Sequence, residues 1–527
     1  MLMEVCSFND QNTVININQL SDYNEQPLQR NLLNMLVTAS NNSTEFESNF
    51  AEFDKDCNKI FPAPSQITID NNECDLMEKK NFMIQVTKAL SKNGCPAHKI
   101  EFHLREIGST LKLKSDYFIL PAVIFINFGD ENISSTSTHL VKISFGFNLS
   151  RLSAINNLCK KVGEGLISVK DSFVILKKIE NSKYFFNKDG LRFLQTDEEA
   201  KKNVTHSTWT KFLVLSSNFF GSRTSALITY PLTSMTLCIM GFGGSWFEGF
   251  LSLFTGLVVA ILTLLSIYVP QLGNIMEFAS SFLIALLTRI CQYYLIPEGY
   301  CINNLTVELA GLVILLPGLP LTFAITDISS KGMISGTVKL FHSLMTALLL
   351  GFGMQMGNSI LFLAVNQFGD SCVATPPSQY WYFLLFPVLS FCVSCILQAP
   401  LKAFPSMMIS SAAGFGITVK LGTLLPSTVA SANVQLPTIL ASFVVGIISN
   451  LYAKYSNDLA FSPLIAGIFF LVPGGVGVRS MLGFFSGDSL QATGFVFQML
   501  VIGLAISVGL FASSIIIRCP QRHFMSY

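Results

Sequence analysis

Apolar positions divide the chain at about residue 218. Beyond it, apolar runs of roughly 20 residues, the length that crosses a bilayer, follow one another to Arg518. Ten spans are predicted: 225–242, 247–269, 274–296, 304–326 and 335–364, then 380–398, 403–424, 433–453, 459–480 and 491–517. The seventh has the weakest pattern, a Ser- and Gly-rich run containing Pro405 between Lys402 and Lys420. Ahead of the spans the pattern changes. Residues 1–80 scatter single apolar residues among Asn, Asp, Ser and Glu with no sustained period, which predicts a disordered or weakly structured tail. From Asn81 the spacing of Phe82, Ile84, Val86 and Leu90 predicts a helix that stops at Asn93-Gly94, and Ile100, Leu104 and Ile107 predict a second. Residues 118–128 and 139–147 read as strands, and 149–179 returns to helical spacing with a break near Gly163 and Gly165. The expectation is a small α/β or α+β domain over 81–217, then an α-helical polytopic membrane domain in two parts, 218–370 and 371–527.

Two runs are interrupted near their ends by Pro-Gly, at Pro317-Gly318 and at Pro473-Gly474. Proline inside a helix removes a backbone donor and clashes with the preceding turn, costing about 3 kcal/mol, and glycine adds about 1 more. In hydrocarbon the freed groups find no water, so such breaks persist only where they are buried in protein or line a wet cavity. Pro473 follows Pro317 by 156 residues, and at that offset Ala310, Gly311 and Leu315 fall on Ala466, Gly467 and Leu471. Gly353 and Gly357 fall on Gly509 and Ser513, small residues four apart that let helices approach closely. Five spans is an odd number, so two tandem copies lie oppositely oriented in the membrane. That is a 5+5 inverted repeat, with its site expected near the midplane on the broken helices.

Charge bears on orientation. With the N-terminus inside, Lys211, Arg223, Lys331, Lys339, Lys402, Lys454, Arg518 and Arg522 are inside, against Arg289, Lys420 and Arg479 outside. This balance makes both termini, and the domain over 81–217, cytoplasmic. It also puts Cys301 and Cys372 in outside loops, as a disulfide or as two thiols. A formal net charge of +1 gives no electrostatic reason to bind nucleic acid. Twelve cysteines scattered through both halves, read as free of CxxC pairs, argue against a zinc framework or a dense disulfide scaffold, and the start, MLMEVCSFNDQNT, lacks the flanks of a cleavable signal.

Ionisable groups inside spans are the candidates for function. Glu277 in the third span and Asp327 after the first break are expected to line a substrate path with Pro317, Gly318, Thr322, Pro473 and Gly474. Thr326, His342, Gln355 and Asn358 offer polar contacts or bonds between helices. Glu248, Arg289, Glu308, Lys331 and Lys339 lie near predicted span ends, where solvation or snorkelling is expected. Enzyme signatures are missing: there is no G-x-S-x-G elbow or phosphate-binding G-x-x-x-x-G-K-[ST], and His98, Glu101 and His103 fall on different sides of a helix. No metal or cofactor is expected.

The stretches 315–353 (LLPGLPLTFAITDISSKGMISGTVKLFHSLMTALLLGFG), 241–257 (GFGGSWFEGFLSLFTGL) and 471–480 (LVPGGVGVRS) resemble the threonine/serine exporter family. NGCPAHKIEFHL, FILPAVIFI and LSRLSAINNLCKKVGEGLISV resemble the segment that precedes that family's membrane domain, so the likeness runs from about residue 82 to 517. The Asn-rich tail is similar to the fungal pheromone-regulated branch. The resemblance implies a ten-span carrier exporting threonine and serine on a proton gradient. The motif prolines and glycines carry over to Pro317, Gly318, Pro473 and Gly474, and Asp327 matches a polar position after the first motif. The implied partners are an amino acid, protons and the lipid bilayer, with an oligomer compatible, in the plasma membrane or an internal vacuolar or endomembrane bilayer. Two other readings stand beside it: a structural or regulatory membrane protein of a mating or fusion pathway, and a membrane-tethered hydrolase acting through residues 81–217.

Overall fold

Helix formation in the N-terminal part follows the apolar spacing. A computed structural model of the chain describes residues 71–120, 123–129, 137–142, 146–181, 225–295, 302–362, 377–424, 432–456, 458–472, 478, 483 and 489–517. Expectations for residues 1–70, for Pro473 and Gly474, and for Cys301 and Cys372 lie outside the described residues. Helix α1 (Asn71–Lys92) begins upstream of the expected start at 81 and buries Phe82, Met83, Val86 and Leu90. It ends at the Asn-Gly signal. Gly94 takes a φ of +88°, and a side chain there would strike the Gly146 carbonyl and the Phe147 ring. Helix α2 (Ala97–Thr110) follows.

The run read as one strand over 118–128 is two strands. β1 (Ser115–Leu120) and β2 (Val123–Phe128) pair antiparallel with Leu120 opposite Val123. Pro121 lies between them and has no N–H to continue a single ladder. β3 (Ser137–Lys142) pairs antiparallel with β2, giving the order β1-β2-β3 and an α+β arrangement. Ile124, Ile126 and Phe128 alternate into the core, each burial contributing about 1.5–3 kcal/mol. The long helical pattern splits near the two glycines into α3 (Leu149–Gly163) and α4 (Val169–Asn181), with Gly165 at φ +71°.

The second part is helical: α5 (Ala226–Gly241), α6 (Trp246–Tyr268), α7 (Met276–Leu295), α8 (Asn304–Gly311), α9 (Gly318–Ser329) and α10 (Met333–Phe362). They are followed by α11 (Tyr382–Ile396), α12 (Phe404–Leu424), α13 (Ala432–Ser456), α14 (Phe461–Leu471) and α15 (Ser489–Ile516). Among the described residues five helices are long and apolar enough to cross a membrane: Trp246–Tyr268, Met333–Ile360, Gln379–Ile396, Gln435–Ser456 and Phe497–Ile516. The expected fourth span is broken, α8 and α9 being its two pieces. One CxxC pair does occur, Cys392 and Cys395, but it lies inside α11 with both thiols free and buried, not in the loop of a metal knuckle.

Three glycine contacts in the first set of helices have counterparts in the second. A Cβ on Gly353 of α10 would strike Ser281, Phe278 and Phe282 of α7; one on Gly509 of α15 would strike Ser442, Ile439 and Phe443 of α13. Gly311 sits against Thr255 and Ile284, and Gly467 against Ser410 and Val445. Gly357 meets Ala285, while the corresponding contact in the second set has Gly446 against Ser513. Small residues thus set the closest helix crossings.

The α+β part is not set apart from these helices, since Asp75–Tyr527 forms a single unit. Backbone N–H groups of Leu149 and Ser150 donate to the carbonyls of Leu397 and Gln398, at 3.2 and 3.0 Å. Asn148 Nδ2 donates to Gln398 Oε1 at 2.6 Å, and Ser153 Oγ to Asp458 Oδ1 at 2.6 Å.

Candidate functional site

The break in the fourth span has a local cause. Pro317 and Pro320 cannot donate to the carbonyls one turn earlier, so α8 stops at Gly311, the chain turns through 312–315, and α9 starts after Pro317. Leu321 N donates to Pro317 O at 3.0 Å, which leaves the N–H groups of Gly318 and Leu319 in the unpaired first turn.

Residues 313–320 line a cavity of about 680 Å³. Glu277 at the start of α7, with His342 and Thr346 of α10, line it too. The later helices also contribute to the lining: Phe415 of α12, then Phe469, Phe470 and Val472, just ahead of the second Pro-Gly in sequence. Phe386, Phe415 and Phe470 form an aromatic cluster, with ring centroids 5.4–6.1 Å apart. Phe147 lines the cavity from the α+β part and lies 6.2 Å, ring to ring, from Phe323.

Of the expected path residues, Pro317, Gly318 and Glu277 line this space. Thr322 does not: it is buried within α9, its hydroxyl donating to Leu319 O at 2.9 Å. Asp327 is also buried away from the cavity, and its Oδ2 accepts from Lys339 Nζ at 2.6 Å. Lys339, expected to be solvated, is the partner of that acid. Gly353, Gly357, Gly509 and Ser513 lie at the helix crossings described above.

Two acids expected near water are buried. Glu248 takes backbone N–H groups on both oxygens, from Ser245 at 2.7 Å as a capping box and from Asn303 at 2.7 Å. The glycine-rich GGSW is therefore the turn ahead of α6. Glu308 of α8 is 1% exposed and accepts from Asn358 Nδ2 at 3.3 Å. Asn358 in turn accepts from Arg289 Nε at 3.0 Å, so an Arg-Asn-Glu relay joins α7, α10 and α8. Gln292 adds a second link between α7 and α8 by accepting from Asn304 Nδ2 at 2.6 Å. Both acids do lie in the first or second turn of their helices, as expected, but neighbouring helices rather than water surround them. The signal available in sequence was the acid itself, set in an otherwise apolar stretch.

In the α+β part Glu101 pairs with Arg105 at 2.8 Å, and His103 is buried beside Phe102. Burial, and secondarily Lys99, pulls the His103 imidazole from 6.5 down to about 4. Among the described residues no three His, Cys, Asp or Glu side chains converge as a metal site.

Known proteins share both the broken-helix region and the α+β segment. The threonine/serine exporter model matches residues 81–189 and 216–361, and a second model, "Threonine/Serine exporter, ThrE", matches 382–516. The chain belongs to the threonine/serine exporter family. As a family member rich in apolar helices, it is an integral membrane protein. It is similar to the "Pheromone-regulated membrane protein 10" of Debaryomyces hansenii, at 24% identity over 86% of this chain and 43% of the relative. The proteins of that name in Eremothecium gossypii and Saccharomyces cerevisiae are each 23% identical, over 86% and 84% of this chain and 58% and 54% of theirs. The chain thus spans about half the length of these curated relatives. No solved structure matches it.

Proposed function

We propose that the chain is a secondary carrier exporting small polar amino acids of the threonine/serine type by gradient-coupled alternating access between two inverted five-span halves. The observation that carries this is the broken helix itself: residues 313–320 line a cavity that is also lined by Val472, the residue before the second Pro-Gly in sequence. The matched glycine contacts of the two helix sets support the repeat. Unpaired N–H groups at the start of α9 suit a substrate carboxylate. Glu277 and the aromatic faces of Phe415 and Phe470 suit the ammonium. Asp327, already paired with Lys339, is left out of that role. With both termini cytoplasmic, Phe147 closes the cavity from the inner side. The partners are the amino acid and protons.

Full-length protein in liposomes tests this reading. The expected result is flux of labelled threonine or serine driven by a proton gradient and reduced at least about tenfold in Glu277→Gln. Absence of flux in the wild type overturns it. The name of the curated relatives favours one second reading, a structural or regulatory role in a pheromone-controlled membrane process. Under that reading Pro317→Ala combined with Pro473→Ala leaves the cellular phenotype unchanged.

A further inference from the structure

We propose that Glu308 is a proton-binding site of the carrier, linked through Asn358 and Arg289 to the position of the half-helix α8. The carboxyl group is almost completely buried in α8. One oxygen, Oε2, holds the neutral Asn358 amide at 3.3 Å; the other, Oε1, has no hydrogen-bond partner among the described residues. A buried carboxylate with one neutral donor is poorly compensated, and gaining a proton removes the charge and supplies an O–H donor. Arg289, on the far side of Asn358, donates to that amide's oxygen and so fixes its NH2 group toward Glu308.

Among the described residues the surroundings bring no competing charge. From α6 comes Glu248, whose oxygens are both engaged by backbone N–H groups. Helix α5 carries only Tyr230 and Cys238 as titratable groups. On α7 the other acid, Glu277, is at the opposite end, and on α10 His342 and Lys339 lie toward the opposite end, Lys339 with Asp327. Helix α8 has no second ionisable residue. Because Arg289 already places one cation in the cluster, a bound metal cation would sit beside it, whereas a proton neutralises the acid without that repulsion.

Packing alone does not call for the acid. Gly311 and Gly467 sit in matching contacts, and in the second set Leu464 and Ser514 stand 156 residues after Glu308 and Asn358, while Asn450 takes the place of Arg289 at the 161-residue spacing of the matched Ser281 and Ser442 contacts. A corner of the same build therefore forms with no ionisable group. Glu308 also lies one turn ahead of the 312–317 connection, with Leu312 N donating to its carbonyl at 3.1 Å, so a shift of α8 on protonation acts directly on the cavity wall.

Coupling at Glu308 presupposes the carrier activity proposed above, whereas protonation of Glu308 does not, so two measurements separate them. In the first, full-length protein in lipid vesicles is acidified and infrared difference spectra are recorded. A carboxylic C=O band is expected in the wild type, lost in Glu308→Gln and displaced in Glu308→Asp; the Asp variant decides if the Gln variant fails to fold. A spectrum unchanged in the variants overturns the site. In the second, Glu308→Gln is expected to lose labelled-threonine accumulation on a proton gradient by at least about tenfold while equal-concentration exchange stays within about twofold of wild type. Accumulation equal to wild type, or accumulation driven by a sodium gradient at fixed pH, overturns the coupling. A wild type that moves no amino acid removes the carrier reading and leaves the infrared result to decide Glu308.

Discussion

At Gly353 and Gly509 a single added methyl group decides how closely two helices can lie. The Cβ that Gly353→Leu would introduce strikes the Ser281 hydroxyl, which can rotate, and the backbone of Phe278 and Phe282, which cannot swing away. The expected cost is about 1–3 kcal/mol, read as a lower thermal midpoint in detergent, with Gly509→Leu comparable. Gly416→Ala, where nothing lies within 4 Å, is the neutral control. His103 gives a residue-scale prediction of opposite character. Its folded value, about 4, lies below its unfolded 6.5, so the unfolded state binds the extra proton. Stability contributed by the neutral ring is present above about pH 6.5 and is lost as pH falls toward about 4, by up to about 3 kcal/mol. Protection of the α1 to α3 amides, with exchange rates corrected for their intrinsic slowing in acid, should therefore fall below about pH 6 in the wild type, and do so less in His103→Leu.

At the scale of elements, the turn from α9 into α10 rests on Asp327 and Lys339. Lys331 adopts φ +70° there, and Gly332 N donates to Asp327 O at 2.8 Å. Lys339→Met leaves a buried carboxylate without its cation and should cost about 3 kcal/mol in thermal stability, while the double change with Asp327→Leu recovers most of it. That ion pair also shows where reading the chain alone falls short. Among the described residues periodicity located most helices of the membrane part to within a few residues, because burial against lipid and neighbours writes a long apolar signature; it drew one helix where α8 and α9 are two, and carried α14 past its end at Leu471. Proline chemistry located the break at Pro317 for the same reason, since a missing N–H is a local fact. Which acid faces the cavity is not local. Asp327 and Glu277 looked alike in sequence; only the rotation of α9 against α10 turned Asp327 toward Lys339. Position in sequence places Glu308 near a span end; packing of α8 as a separate short helix buries it.

For the whole molecule, the contact least visible in sequence is the one between the α+β part and the later helices. Nothing in the Asn148 or Ser153 surroundings signals a partner hundreds of residues away, and Phe147 reads as the end of a strand, not as part of a cavity wall. Changing Asn148→Ala together with Ser153→Ala should raise hydrogen exchange at the start of α3 while leaving the β1-β2-β3 ladder protected. Equal protection at α3 in both proteins would mean that these bonds are dispensable. The same bonds carry a consequence for biogenesis. They join residues 250 and 305 positions apart, so the partners of Asn148 and Ser153 leave the ribosome on the order of tens of seconds later. During that interval the face around Phe147 waits uncovered, within reach of chaperones, and chains cut short before α11 should be cleared by quality control even though every strand they need is already made.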